Sequence, residues 1–417
     1  MPMHSLPVVN FKMTFKSGSA LDPIGKKGCS LLTAELLNKG VRGKSAIDFL
    51  EKVEHLGGTL QANATQDLSI ITGSFLKSRI KDGFTLLSEM VQYPNFNESE
   101  FSKSQHRLIS SIQGIKDNPE ALSSVYYQNL FFNDQHPYSL PVHGLQHTVS
   151  EIKTADIEEY YHSNYHPKNA VLSIVGDFET NSMLEMVKFQ FENWEASSLS
   201  TIPSPELVID NGVNIYIIDK PDVVQTQIKI GSQGIFNGHK SYFPLTVANT
   251  IFGGSFTSRL VQSVRVEQGL TYSINSGFTI LKHEGPFTIS TFTKNETVGK
   301  TLGVILKEIN HIKENGIHQD ELDKAKSYLT GTYPLSIETF GSLAIQLTNI
   351  ACYDLPKTWV SDYIPNIQSL TIDNINSAIN DYFPDNKLVI VLITNVKSVI
   401  NQLQGLGTVK IVDEKII

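Results

Sequence analysis

The sequence contains an internal duplication, because landmarks of its first half recur in the same order about 215 residues later. The matching segments are 57–64 with 269–274, 78–91 with 298–312, 97–101 with 318–322, and 165–172 with 382–389. Four landmarks that keep one order are improbable by coincidence. The duplication therefore predicts two halves that fold on the same plan.

Each half mixes patterns typical of strands with patterns typical of helices. Segments 68–75 and 285–292 are rich in β-branched and aromatic residues, which predicts strands. Ser45 and Asp48 form a capping-box pattern that predicts a helix ending before Gly57. Interspersed strands and helices favour an α+β fold, in which each half has a mixed or antiparallel sheet with helices packed on one face.

The predicted boundary between the halves is the Ser/Pro-rich segment 196–206, which has no periodicity and the composition of a linker. The sequence thus predicts an N-terminal half at 1–195 and a C-terminal half at 207–417. A chain of 417 residues is long enough for two cores.

Composition excludes several classes of function. The net charge of −8 and the scattered lysines and arginines argue against nucleic acid as a main partner. The sequence contains no run of about 18 apolar residues, so it predicts no membrane span. Cys29 and Cys352 lie far apart and form neither a metal-binding spacing nor a disulfide framework.

Segments 15–23 and 36–40 resemble the pitrilysin/insulinase family of zinc peptidases. Members that cleave peptides carry an inverted HxxEH motif, which places two histidines and a catalytic glutamate on one helix face. A glutamate from a following helix is the third zinc ligand, and water takes the fourth position. The resemblance covers the chain from about residue 8 to about residue 396.

The motif positions are degenerate in this chain. By resemblance, Leu31 and Glu35 occupy the two histidine positions, Ala34 occupies the position of the base, and Ser111 occupies that of the third ligand. One remaining carboxylate does not hold zinc. The resemblance therefore implies that the chain has no metal and no catalytic residues of its own.

A second resemblance concerns the stretch 252–272, which contains Arg265 and Tyr272. In the family, such an arginine binds a substrate carbonyl across the cavity, and the tyrosine hydrogen-bonds the developing oxyanion. A guanidinium offers a fixed fork of donors, and a phenol donates without carrying charge. We expect Gly269 to end the helix of Arg265 and Tyr272 to lie on the strand that follows. The alternative is a surface arginine and an edge-strand aromatic with no functional role.

Relatives fold as two homologous halves that enclose a substrate chamber, and members with short chains dimerise. In two-chain members, one subunit carries zinc and the other supplies the Arg/Tyr pair in trans. The resemblance thus implies a non-catalytic subunit of a heterodimeric zinc metallopeptidase that degrades or processes unfolded peptides, with zinc in the partner. The alternatives are a structural scaffold, as the respiratory-complex core proteins of the family resemble, and a homodimeric peptide-binding module.

The first strand-like segment begins almost at the start, at residues 8–15. Another strand usually precedes it in the family, so we expect that a leader and a first strand have been removed. A bacterial periplasmic or other extracytoplasmic location fits the family best, and a mitochondrial one is the alternative.

Overall fold

The computed structural model describes residues 1–412, which form ten strands. The strands are β1 Val8–Phe15, β2 Thr59–Ala64, β3 Ser69–Leu76, β4 Ala170–Gly176, β5 Gly212–Asp219, β6 Gln225–Gln233, β7 Ile274–Phe278, β8 Pro286–Lys294, β9 Lys387–Thr394 and β10 Thr408–Val412. They make two separate sheets, one of four strands and one of six.

The described residues also form fifteen α-helices. The helices are α1 Cys29–Leu37, α2 Ala46–His55, α3 Ile80–Gln92, α4 Glu98–Ile115, α5 Pro119–Phe132, α6 Gln146–Ser150, α7 Thr154–Asn164, α8 Thr180–Phe191, α9 Tyr242–Phe252, α10 Val298–Asn315, α11 Gln319–Ser336, α12 Phe340–Cys352, α13 Tyr363–Ser369, α14 Ile372–Tyr382 and α15 Val396–Val399. A π-helix spans Val261–Glu267. Short 3₁₀ turns occur at Ser19–Leu21, Lys77–Arg79, Pro167–Asn169, Asn295–Thr297 and Ile400–Leu403.

The chain divides into two compact units. Unit 1 comprises Met1–Gln113, Leu140–Pro203 and Leu335–Lys357. Unit 2 comprises Gly114–Ser139, Ser204–Pro334 and the described chain from Thr358 onward. The boundary at 196–206 stays a prediction. The compact units differ from a simple cut there because α5 belongs to unit 2 and α12 belongs to unit 1.

Unit 1 contains an antiparallel sheet with the strand order β2-β3-β1-β4. Phe11 on β1 stacks with Phe75 on β3 and packs at a tilt against Phe84 on α3, so this face of the sheet packs on the helices of its own half. On the opposite face, Thr348 of α12 donates to Ser173 of β4 at 3.0 Å. The helix supplied from the far end of the chain therefore covers the second face of the sheet.

Unit 2 contains a mixed sheet with the strand order β10-β5-β9-β6-β8-β7. The β10–β5 and β5–β9 pairs are parallel, and the other pairs are antiparallel. Tyr127 of α5 packs on this sheet, where its hydroxyl lies 3.0 Å from that of Thr288. A Cβ at Gly231 would lie only 1.8 Å from the Tyr127 oxygen, so this close approach requires glycine.

The core of unit 2 lies between its sheet and helices α9, α10 and α14. Four phenylalanine rings pack together there with centroids 4.8–6.3 Å apart, namely Phe252, Phe278, Phe287 and Phe383. Such burial of aromatic surface is a large apolar contribution to stability.

The predicted α+β class is confirmed. The predicted strand at 68–75 is β3, the one at 285–292 is β8, and the predicted capping box of Ser45 and Asp48 begins α2. Within residues 1–412, none of the helices combines the length and apolar character that a bilayer crossing needs.

Candidate functional site

Helix α1 carries the three degenerate motif positions on one face, because residues three and four apart lie side by side on a helix. Ala34 is fully buried, whereas Leu31 and Glu35 are half-buried. Leucine and alanine side chains have no lone pairs to give to a metal. This face of α1 therefore offers one carboxylate and otherwise apolar surface.

Glu35 is held by helix α4. Its Oε1 accepts a hydrogen bond from Ser104 Oγ at 2.8 Å and forms an ion pair with the guanidinium of Arg107. Ser104 and Arg107 lie three residues apart on α4, so both reach the same oxygen from one face. The carboxylate is thus neutralised by a side chain from the same unit.

Ser111, which the resemblance places at the third ligand position, lies one further helical turn along α4 and is exposed. The sequence identified the helix but not the two residues on it, Ser104 and Arg107, that contact Glu35. The sequence did contain a signal for this contact, because Arg107 is a cationic side chain on the helix that was expected to face Glu35.

The residues at the four ligand and base positions do not fit a zinc ion. Across residues 1–412, no group of three or more His, Cys, Asp and Glu side chains is placed to hold a metal ion. Structural and catalytic zinc sites need at least three protein ligands. The single carboxylate at this position is already paired with an arginine.

Asp22 fixes the beginning of α1. Its two carboxylate oxygens accept hydrogen bonds from the backbone amides of Gly28, at 2.9 Å, and Ser30, at 2.7 Å. These are amides at the helix N-terminus, which lack partners within the helix. Burial raises the pKa of Asp22 from 3.8 to about 6, although Lys27 and the two amides act in the opposite direction.

This raised pKa predicts a loss of stability with rising pH. Between pH 3.8 and about 6, the folded state keeps a proton on Asp22 that the unfolded state has released. Stability therefore falls as pH rises through this window. We expect the stability of the native chain relative to the Asp22→Asn variant to fall by on the order of 2 kcal/mol between pH 4 and pH 7. Urea unfolding of both proteins at each pH measures this.

Asp48 provides a matched control, because its carboxylate accepts hydrogen bonds from the hydroxyl and the backbone amide of Ser45 in the capping box of α2, and these bonds lower its pKa. The contribution of Asp48 is present above the unfolded pKa and is lost on acidification. For Asp48→Asn the difference from the native chain must therefore change in the opposite direction. A pH-independent difference for Asp22→Asn would contradict the prediction.

The second candidate site is formed by Arg265, on the π-helix Val261–Glu267, and by Tyr272. Gly269 has a left-handed φ of 59° and follows the end of this helix, as expected. Tyr272, however, precedes β7 and does not lie on it, so this expectation was wrong. The reason is local, since the Thr271 hydroxyl bonds both the amide and the carbonyl of Ser273 and so replaces ladder bonds.

The structure brings Arg265 and Tyr272 together and adds Phe256. The Arg265 guanidinium carbon lies 5.2 Å from the ring centroid of Tyr272 and 4.9 Å from that of Phe256. Both distances are within the range of cation–π attraction. Tyr272 is 78% exposed and Phe256 is 73% exposed. We call these three residues the Arg265 stack.

The Arg265 stack presents a guanidinium fork and a phenol hydroxyl at one surface. Phe256 was not identified from the sequence. The signal available was a large apolar residue in the polar, glycine-containing loop 253–258, where exposure of an aromatic ring is unusual.

Arg259 anchors the chain just before the π-helix. Its Nε and Nη2 donate to the two oxygens of Glu321 on α11, both at 2.7 Å, and Nη2 also donates to the Gly316 carbonyl at 2.8 Å. The side chains are 12% and 21% exposed. A bidentate pair of this kind is rigid and directional.

A cavity of about 510 Å³ lies beside the loop 253–258, although none of the three residues of the Arg265 stack lines it. Ser255 and Thr257, the neighbours of Phe256, line it together with Gln262 of the π-helix and Tyr328 of α11. Its lining mixes neutral and charged side chains, and the charged residues occur as the pairs Arg259 with Glu321 and Lys324 with Asp320.

Two family models match the chain. The model described as insulinase, peptidase family M16, matches residues 3–140, and the model described as peptidase M16 inactive domain matches residues 151–329.

Curated relatives are similar over most of their length. The chain is 24% identical over 365 residues to "Uncharacterized zinc protease YmxG" of Bacillus subtilis, with 86% of each chain covered. It is 25% identical over 405 residues to "Non-peptidase homolog YmxG" of Helicobacter pylori, with 94% of this chain and 90% of the relative covered.

Solved structures share the fold. A peptidase M16 inactive domain from Pseudomonas fluorescens superposes with a TM-score of 0.88 at 26% identity, with 94% of each chain covered. A Helicobacter pylori protease gives a TM-score of 0.84 at 21% identity, covering 94% of this chain and 95% of that one. A chain of "Complex III2 from Candida albicans, Inz-5 bound" gives 0.79 at 15% identity, covering 94% and 92%.

Proposed function

Because the chain belongs to peptidase family M16, the insulinase family, we propose that it is the zinc-less subunit of a two-chain peptidase. The partner is a zinc-bearing paralogue, and the substrate is an unfolded peptide. The chain itself positions substrate and leaves bond cleavage to the partner.

The degenerate motif supports the non-catalytic part of this proposal. Leu31 and Ala34 cannot bind metal or accept a proton, and Glu35 is paired with Arg107. The relative from Helicobacter pylori is named a non-peptidase homolog, and the second family model describes an inactive domain. A chain of this kind needs a partner to take part in proteolysis.

The single observation that carries the substrate-binding part is the exposed Arg265 stack. Phe256 and Tyr272 flank an arginine and are both more than 70% exposed. Large aromatic side chains exposed together in this way are typical of an interaction site. A pure scaffold needs no such arrangement on a surface loop. A peptide-binding surface does, because arginine and tyrosine are enriched where binding energy is concentrated.

In the proposed reaction, zinc held by the partner would supply a Lewis acid for the scissile carbonyl and for the attacking water. The residues of this chain bind and orient the substrate. The Arg265 guanidinium donates hydrogen bonds to a backbone carbonyl of the peptide, and the Tyr272 hydroxyl donates to the oxygen that gains negative charge. The rings of Phe256 and Tyr272 hold the guanidinium in place from two sides.

Complementation tests the proposal. This chain alone, the zinc-bearing paralogue alone, and their mixture are assayed with a quenched peptide, and the zinc content of each protein is measured. We expect the mixture to be at least about 100-fold faster than the two separate activities combined, because only the mixture contains both the zinc and the oxyanion donors. A mixture no faster than the paralogue alone would refute the proposal.

The second candidate is a structural scaffold without a role in proteolysis. A chain of Candida albicans complex III has the same fold, and at 15% identity this likeness concerns the fold alone. A stable complex with the paralogue that leaves peptide cleavage unchanged would support the scaffold. Peptide binding by a homodimer of this chain alone would support the third alternative, a peptide-binding module.

A further inference from the structure

The degenerate zinc position contains an ion pair that joins two helices. We infer that Arg107 takes the place of the metal cation, so that the position is closed to metal ions by a positive charge that the chain itself supplies. This inference concerns the chain by itself and does not depend on any partner.

The contacts form a closed set. Glu35 Oε1 accepts from Ser104 and from Arg107, and Arg107 Nη2 also lies 3.3 Å from Ser104 Oγ. Both partners come from α4, whereas Glu35 comes from α1. The cluster therefore connects the two helices on which the resemblance places the ligand positions.

The two helices contribute groups of different charge from those that the resemblance implies for a zinc site. In a zinc site of this family, neutral imidazoles come from the first helix and a carboxylate from the second. Here α1 contributes the carboxylate and α4 contributes the cation. A guanidinium stays protonated at every physiological pH, so the pair needs nothing from solution to become neutral.

The positive charge of Arg107, which contacts Glu35, also repels a divalent cation at this position. The charge of the Glu35 carboxylate is neutralised by its ion pair with Arg107, and Leu31 and Ala34 contribute no ligand atoms. Restoring ligand side chains on α1 alone would therefore create a weak site. Removing the arginine as well should strengthen zinc binding at that site.

The test builds a two-histidine clamp on α1 with Leu31→His and Glu35→His, which places two imidazoles four residues apart on one face. Zinc affinity is measured by competition with a fluorescent chelator, with and without Arg107→Gln. We expect Arg107→Gln to tighten zinc binding at least about tenfold, since it removes a unit charge at contact distance. Circular dichroism confirms that each variant is folded.

Lys103 on the same helix is the matched control. It pairs with Glu100 within α4 instead of with Glu35, and at 68% its exposure is close to the 60% of Arg107, so the two variants remove charges of similar exposure. In the two-histidine background, Lys103→Gln should change zinc affinity less than about twofold. Equal zinc affinity with and without Arg107→Gln would overturn the inference.

A second measurement uses the native motif. Glu35→Gln, Arg107→Gln and the double variant form a thermodynamic cycle read by thermal unfolding. We expect the two single changes to be non-additive by about 1–2 °C in Tm, because either one breaks the same link between α1 and α4. Strictly additive changes would show that the pair does not connect the helices.

Discussion

Replacing Arg265 with alanine is expected to lower kcat/KM of the mixed peptidase by about 100-fold, with most of the change in KM. The variant removes a charge-assisted hydrogen bond to a substrate carbonyl that is present in the bound peptide as well as in the transition state. Tyr272→Phe removes a single neutral donor that acts on developing charge. It should therefore lower kcat about tenfold and leave KM unchanged.

Arg42 provides a matched control for the Arg265 variant. Its guanidinium carbon lies 4.8 Å from the centroid of Tyr93, so Arg42→Ala also removes an exposed arginine from an aromatic ring. No substrate role is proposed for it, and its variant should stay within about twofold of the native mixture. If Arg265→Ala also stayed within that range while the mixture was active, the stack would have no part in substrate binding.

The duplication allowed the class of fold to be predicted, but it did not predict that α5 belongs to unit 2 and α12 to unit 1. Matching segments identify α3 and α10 as equivalent, because each follows a strand pair in its own half. Nothing in the composition of α5 or α12 shows which sheet it will cover. Their burial depends on contacts with residues far away in the sequence, such as Thr348 with Ser173.

The candidate sites were predictable to different degrees. The positions of Leu31, Ala34 and Glu35 on one helical face follow from periodicity alone. The pairing of Glu35 with Arg107 does not, since it depends on how α1 and α4 pack. The nearness of Arg265 and Tyr272 was expected from resemblance, whereas Phe256 joins them through a loop whose path no periodic pattern describes. Their roles in substrate binding stay predictions.

Glu321→Ala is expected to destabilise the chain by about 3 kcal/mol, because it leaves the guanidinium of Arg259 largely buried without its counter-charge. The loss should appear as a lower midpoint of urea unfolding with an unchanged slope. The neighbouring variant Asp320→Ala is the control, since Asp320 and Lys324 form a pair that is 66% and 74% exposed. That change should leave the midpoint of urea unfolding close to that of the native chain, because an exposed ion pair contributes little to stability.

The same variant connects stability with the substrate site. Arg259 fixes the chain between the loop that carries Phe256 and the π-helix that carries Arg265. Loss of its bidentate bond should loosen the stack even below the unfolding transition. The folded Glu321→Ala subunit should therefore raise KM of the mixed peptidase, whereas Asp320→Ala should not. A destabilised subunit with an unchanged KM would show that the stack holds its geometry without this anchor.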